Sequence, residues 1–209
     1  ASDLVLVDDD FSDIALAIFE ARTISENIRK TLTFLMTAAT SIVIAVLGSV
    51  FFSLPLPFLA VQILWLNFIT AGFLDFSIAT EKSEPIYRKY TYHRYRGSLL
   101  NLYDITRIST LGVYIGVVTL GVFYVFLQVL SLDEARTGIM FLISAFIWFN
   151  ALNVRKNYDT IFSFNPFTNW YISVGIILEA LILLGSIYFG AGNMLFTTAP
   201  LPYQLLLYL

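Results

Sequence analysis

The sequence predicts an all-α fold, a polytopic transmembrane helix bundle with five complete spans and the beginning of a sixth. Three observations carry this expectation. Of 209 residues, 58% are hydrophobic and only 13% charged, with mean hydropathy +0.78, against about 25% charged in an average soluble domain. The apolar residues gather into runs long enough for a bilayer, which takes about 20 residues per helix. The basic residues fall almost entirely on one side of those runs, as they do in loops retained in the cytoplasm.

Taken in order, Leu4-Val5-Leu6-Val7 is a short strand signal, and the acidic turn Asp8-Asp9-Asp10 follows it. Ile14, Leu16, Ala17, Ile18, Ala21, Ile24 and Ile28 then repeat with helical period. No Gly or Pro occurs between Ala1 and Leu47, so this helix can run without a break into the first span as a stalk, the other reading being an ordinary soluble edge next to a membrane anchor. The early acids exclude a signal peptide, whose charged end should be basic. Between Lys30 and Glu81 the only charge is Asp75, which leaves room for two spans with a turn at Pro55 and Pro57. Further apolar runs extend from about Ile108 to Leu130, Gly138 to Val154 and Trp170 to Phe189. A last run opens near Leu201 and reaches only Leu209. With no initiating Met and so short a final run, the chain is expected to be part of a longer protein.

Orientation follows from Lys and Arg. Arg22, Arg29 and Lys30 precede the first span, Lys82, Arg88, Lys89, Arg94, Arg96 and Arg107 separate the second from the third, and Arg155 and Lys156 separate the fourth from the fifth. Of the twelve basic residues only Arg136 falls on the other side. The expectation is an integral multi-pass protein with a cytoplasmic N-terminus, with the plasma membrane as the setting.

Composition also excludes. There is no cysteine and a single histidine, His93, so neither a thiolate nor an imidazole metal cluster can form. The loop from Glu81 to Asp104 mixes basic residues with Tyr87, Tyr90, Tyr92 and Tyr95. Beside a span, that mixture suits lipid headgroups better than nucleic acid. Gly112 and Gly116 have the spacing that lets helices approach closely. Thr33, Thr37, Thr40, Ser41 and Gly48 form a small-residue stripe on the first span. It suits helix packing, with a conduction path as the other reading.

Three stretches carry a family resemblance. ASDLVLVDDDFSDIALAIFEARTISENIRKTL resembles the closing strand and helix of the phosphorylation domain of P-type cation-transporting ATPases, leading into their fifth transmembrane helix. VQILWLNFITAGF resembles the sixth-helix motif of the calcium-pump-like branch. FNALNVR, Phe149 to Arg155, resembles the end of the eighth helix, with Ala135-Arg136-Thr137 before it. The resemblance implies a short remnant of an α/β phosphorylation domain with a stalk helix at residues 1–30, then the C-terminal transmembrane domain at 31–209, comprising helices five to nine and the start of ten. It implies that the whole protein is an ATP-driven pump using ATP and Mg2+, which phosphorylates an aspartate elsewhere. No Asp-Lys-Thr-Gly-Thr motif or nucleotide-binding segment occurs in this chain, so by itself it is expected to hold neither cofactor and to be inactive. The implied partners are the bilayer, the transported cation and the remaining pump domains.

The resemblance also indicates an ion site with gaps. Asn67 and Thr70 match sixth-helix ligands, but the aspartate position is Ala71. The fifth-helix ligand positions fall at Ala39 and Ile42, and an eighth-helix position that is often acidic or amide-bearing falls at Ile147. A buried divalent cation needs several oxygens at close range, so a conventional calcium site is not expected. The Pro that usually follows Gly72 is replaced by Leu74, which weakens the expectation of local unwinding. Two acids remain inside spans. Asp75 lies one turn beyond Ala71, about 6 Å closer to the cytoplasm, and suits either an ion ligand or an interface anchor. Glu179 sits in the middle of the fifth run, where a carboxylate is costly and marks function by default. It resembles a ninth-helix Glu that serves a monovalent-ion site in the sodium-potassium branch. The alternative is a protonated Glu bonded to a neighbouring helix. The candidate ligands are therefore Asn67, Thr70, Asp75 and Glu179. A second reading of the whole chain is a degenerate, non-pumping scaffold or partner-binding protein.

Overall fold

A computed structural model describes residues 11–81, 99–156, 165 and 168–201. The strand signal at Leu4 to Val7, the basic tyrosine-rich loop and the run beyond Leu201 lie outside them. Among the described residues the fold is helical with no strand. Helix α1 spans Phe11–Phe51, α2 Ala60–Trp65, a π-helical segment Leu66–Ala71, and α3 Gly72–Ala79. Helices α4 (Leu102–Val129), α5 (Leu132–Val154), α6 (Trp170–Tyr188) and α7 (Gly190–Phe196) follow. Five stretches are long and apolar enough to cross a membrane: Leu16–Phe51, Ala60–Ala79, Leu102–Val129, Leu132–Val154 and Trp170–Tyr188. The bundle therefore has a basic face, where α1 enters, and an opposite face.

Helix α1 runs 41 residues because nothing in it breaks the ladder before Gly48. It stops where Ser53 takes a left-handed φ of 54° and two prolines follow. Its hydroxyl stripe is satisfied locally: Thr33 donates to Arg29 O at 2.9 Å, Thr37 to Thr33 O at 2.8 Å and Ser41 to Ala38 O at 2.7 Å. Those bonds remove the cost of hydroxyls in a low-dielectric interior. They favour the packing role over a conduction path.

What the stripe packs against is α4. A Cβ on Gly112 would lie 2.7 Å from Thr40 Cβ, and one on Gly116 would lie 2.7 Å from both Ile44 Cβ and Ser41 O. Glycine is required there because the two backbones meet.

Helices α4 and α5 begin earlier than hydropathy suggests. Asn101 accepts from Asp104 N at 2.9 Å while Asp104 accepts from Asn101 N at 2.9 Å. Ser131 and Glu134 form the same reciprocal arrangement. Helix α5 forms the centre of the bundle: Ala135, Ile139, Met140, Ile143, Ile147, Ala151 and Val154 are all buried, at the spacing of one helix face. Phe51, Phe68, Leu64, Val125, Phe149 and Leu181 remain exposed and form part of the surface a bilayer would cover.

Candidate ion-pathway site

The π segment interrupts the second span at the residues singled out by the resemblance, Leu66 to Ala71. A π turn widens the helix and leaves its backbone bonds out of the regular register, and such turns concentrate at functional sites. Gly72 follows in ordinary right-handed helix geometry, so the departure is a widened turn and not an extended break.

Asn67 is exposed on this segment and borders a small cavity lined by Phe34, Leu35, Ala38, Ile42, Leu66 and Ile147. The fold thus brings together Asn67, Ile42 and Ile147, three positions separated in sequence. The space between them is about 10 Å³, at the lower limit for one water, and Asn67 is its only polar side chain. Thr70 lies on the same π segment; its side chain, like that of Ala71, is outside the described set.

The two acids lie on α3 and α6. Asp75 is half-buried in the first turn of α3, and its Oδ1 has no hydrogen-bond partner among the described residues. Glu179 is 0% exposed on α6. Helix α6 meets α3 at Gly175, whose Cβ position lies 3.4 Å from Ser77 Oγ and 3.7 Å from Phe73 O. The two helices run in opposite directions, so one turn from Gly175 to Glu179 corresponds to one turn back from the Phe73–Ser77 turn, near Ala71. That register sets Glu179 level with the π segment, and Asp75 about one turn, roughly 5 Å, nearer the basic face. No group of three or more His, Cys, Asp or Glu side chains occurs among the described residues. The clustered carboxylates of a tight divalent site therefore do not occur among the described residues.

A polar cluster at the basic face has no counterpart among the sequence-predicted site residues. Arg155, 1% exposed, makes a two-pronged ion pair with Glu81, 9% exposed: Nε to Oε2 at 3.1 Å and Nη2 to Oε1 at 2.9 Å. Asn169 donates to Glu81 Oε2 at 2.6 Å, and Thr168 Oγ1 accepts from Arg155 at 2.9 Å. Glu81 and Arg155 read in sequence as loop charges. Each follows a span directly, and Arg155 also closes the FNALNVR stretch. A cavity of about 480 Å³ opens beside the pair, between Thr80, Lys156, Trp170 and Tyr171. On the opposite face, buried Gln62 accepts from Leu59 N at 3.0 Å and donates to the carbonyls of Phe196 and Thr197 at 3.4 and 3.3 Å.

Residues 55–209 match the family described as "Cation transporting ATPase, C-terminus". The chain belongs to this family. Among relatives of this cation-transporting ATPase C-terminus, the calcium-transporting ATPase of Bacillus subtilis is 30% identical over 201 residues, 95% of this chain and 22% of that protein. Calcium-transporting ATPase 1 of Saccharomyces cerevisiae is 32% identical over 207 residues, 96% of the chain and 21% of the relative. Probable cation-transporting ATPase F of Mycobacterium tuberculosis is 29% identical over 208 residues, covering 96% and 22%. The chain spans about a fifth of the length of these relatives. With five apolar spans, the ATPase C-terminus is an integral multi-pass membrane domain.

Proposed function

We propose that this domain is the membrane part of an ATP-driven, calcium-pump-like cation transporter, with its ion path passing the π segment between α1, α3, α5 and α6. The observation that carries the reading is a fully buried mid-span carboxylate, Glu179, at the level of a π turn that bears Asn67 and Thr70. The much longer cation-transporting relatives support it. In this reading the basic face is cytoplasmic, the membrane is the plasma membrane, and residues 1–30 end the phosphorylation domain while 31–209 form the transmembrane domain. ATP and Mg2+ bind to the parts of the pump beyond this chain.

The ligand set favours a monovalent cation. Ile42 and Ile147 close the α1 and α5 side of the π segment with apolar groups, while Asp75 and Glu179 supply charge from the α3 and α6 side. A dehydrated divalent ion would find too few oxygens there to replace its water. The same apolar cavity favours the second reading, a non-pumping scaffold.

The experiment is cation-stimulated ATPase activity of the full-length protein in proteoliposomes, with Na+, K+ and Ca2+ each varied. Glu179→Gln should weaken the stimulation by the transported ion, and Asp75→Asn should do so to a smaller extent. Unchanged ion dependence in both variants would remove these residues from the site. Absence of stimulation by any cation in the unaltered protein would establish the scaffold reading instead.

A further inference from the structure

The last carbonyls of a helix have no partner in the helix itself, and where they are buried between spans water cannot replace it. At the basic face, α3 and α5 have such groups satisfied from other spans. Asn27 of α1 donates to Ala79 O at 3.0 Å and Glu81 O at 2.8 Å, closing the end of α3. Lys30 of α1 donates to Arg155 O at 2.6 Å, closing the end of α5, where Arg107 of α4 also donates to Asn153 O at 2.7 Å. Arg29, between them, holds Asp104 of α4 through two bonds of 2.6 and 2.9 Å. Asn169, capping α6, joins Ser77 O at 3.2 Å and the Glu81 carboxylate.

Successive helix residues point about 100° apart, so Asn27, Arg29 and Lys30 radiate from one turn of the stalk to three different spans. Their partners lie among buried groups: Asn27 is 6% exposed, Lys30 3% and Asp104 2%. A relative slide of about 1 Å would carry bonds of this kind beyond useful length. The second span is also held at its other end, by Gln62 on Phe196 and Thr197. Between these two anchored ends lies the π segment.

We propose that Asn27 and Lys30 are positioning residues that gear the stalk to the cytoplasmic ends of α3 and α5, so that stalk movement is delivered to the π segment and not dissipated as sliding between helices. The inference rests on the pump reading for the source of the movement. The gearing itself rests on the hydrogen bonds. Asn27 and Lys30 act through α3 and α5 and touch no ion.

The test uses the full-length protein in lipid nanodiscs. The domain has no cysteine, so spin labels at Ile24→Cys and Tyr171→Cys, both exposed positions, report the separation of stalk and α6 once any cysteines elsewhere in the protein are replaced. In the otherwise unaltered protein the distance distribution should be narrow, and equally narrow with beryllium fluoride, which mimics a phosphorylated aspartate. With Asn27→Ala plus Lys30→Met it should widen about twofold as the stalk uncouples from its neighbours, and Lys30→Arg alone should stay narrow because it retains a donor. Should the double variant not fold, Asn27→Ala alone is expected to show the same widening in smaller degree. Cations moved per ATP should fall in the variants that widen while phosphoenzyme formation persists. Equal widths in the geared and ungeared proteins would overturn the proposal, as would unchanged coupling in a widened variant. Loss of cation-stimulated ATPase activity already in the unaltered protein would defeat the pump reading, and the distances measured without beryllium fluoride would still decide the gearing.

Discussion

Two glycines on α4 should respond to the same substitution with opposite signs. Gly116 faces α1, and an added Cβ would sit 2.7 Å from Ile44 Cβ and from Ser41 O. Carbon contacts settle at about 3.5–4.0 Å, so Gly116→Ala must push the helices apart by about 1 Å or distort a backbone carbonyl that cannot rotate away. Overpacking of this kind costs about 1–3 kcal/mol. Gly121 has nothing within 4 Å of its Cβ position, so Gly121→Ala meets no obstacle and gains about 0.5–1 kcal/mol from reduced backbone freedom and better helix propensity. Gly116→Ala shares that gain, so the two variants should differ by the overpacking cost alone, about 1–3 kcal/mol. Equilibrium unfolding of the purified domain in mixed micelles, with helicity as the signal, measures the difference directly. Equal stabilities, or a more stable Gly116→Ala, would mean that the α1–α4 seam does not depend on close backbone approach.

The buried ion pair should show strong coupling. Arg155→Met leaves the Glu81 carboxylate without its partner and should cost about 3–5 kcal/mol, whereas Glu81→Gln combined with Arg155→Met should recover much of that loss. Simple additivity of the single changes in a double-mutant cycle would refute the coupling. Gln62→Leu removes the donor to two carbonyls and should cost about 1–3 kcal/mol. It should also speed hydrogen exchange at Thr198 and Ala199, whose amides bond to Asn193 O and Thr137 Oγ1; unchanged protection there would refute the tie. Purified chain 1–209 should show no ATP turnover above a blank, and measurable turnover would contradict the reading that ATP is handled elsewhere.

The bundle was legible because its largest energy term is written locally. A run of about 20 apolar residues has one low-energy option in a bilayer, a helix that satisfies its own backbone. The five runs and their order follow from that alone. The early starts of α4 and α5 were also present in the sequence, as Asn101 with Asp104 and Ser131 with Glu134, but hydropathy does not register caps. Such caps fall outside the apolar run and belong to hydrogen bonding. The close approach at Gly112 and Gly116 was legible from spacing, although its partner was not. Which helix supplies Thr40 and Ile44 depends on tertiary packing.

The site divides along the same line. Asn67, Ile42 and Ile147 became neighbours through a resemblance that supplied the tertiary arrangement, and composition alone gives no reason to bring two isoleucines and an amide together. For the Glu81–Arg155 pair the resemblance touched Arg155 alone, as the end of FNALNVR, and gave it no partner. Each residue taken singly reads as a charge that begins a loop, and its burial follows only once α3, α5 and α6 end at the same depth. There the orphan carbonyls of two helices compete for donors, and Asn27 and Lys30, 52 and 125 residues away from their acceptors Ala79 and Arg155, supply them. A polar residue within a few positions of a span's end is therefore a candidate cap for some other span. That assignment carries weight where the carbonyl is buried between helices, as beside Asn27 and Lys30, 6% and 3% exposed, because water is kept from it.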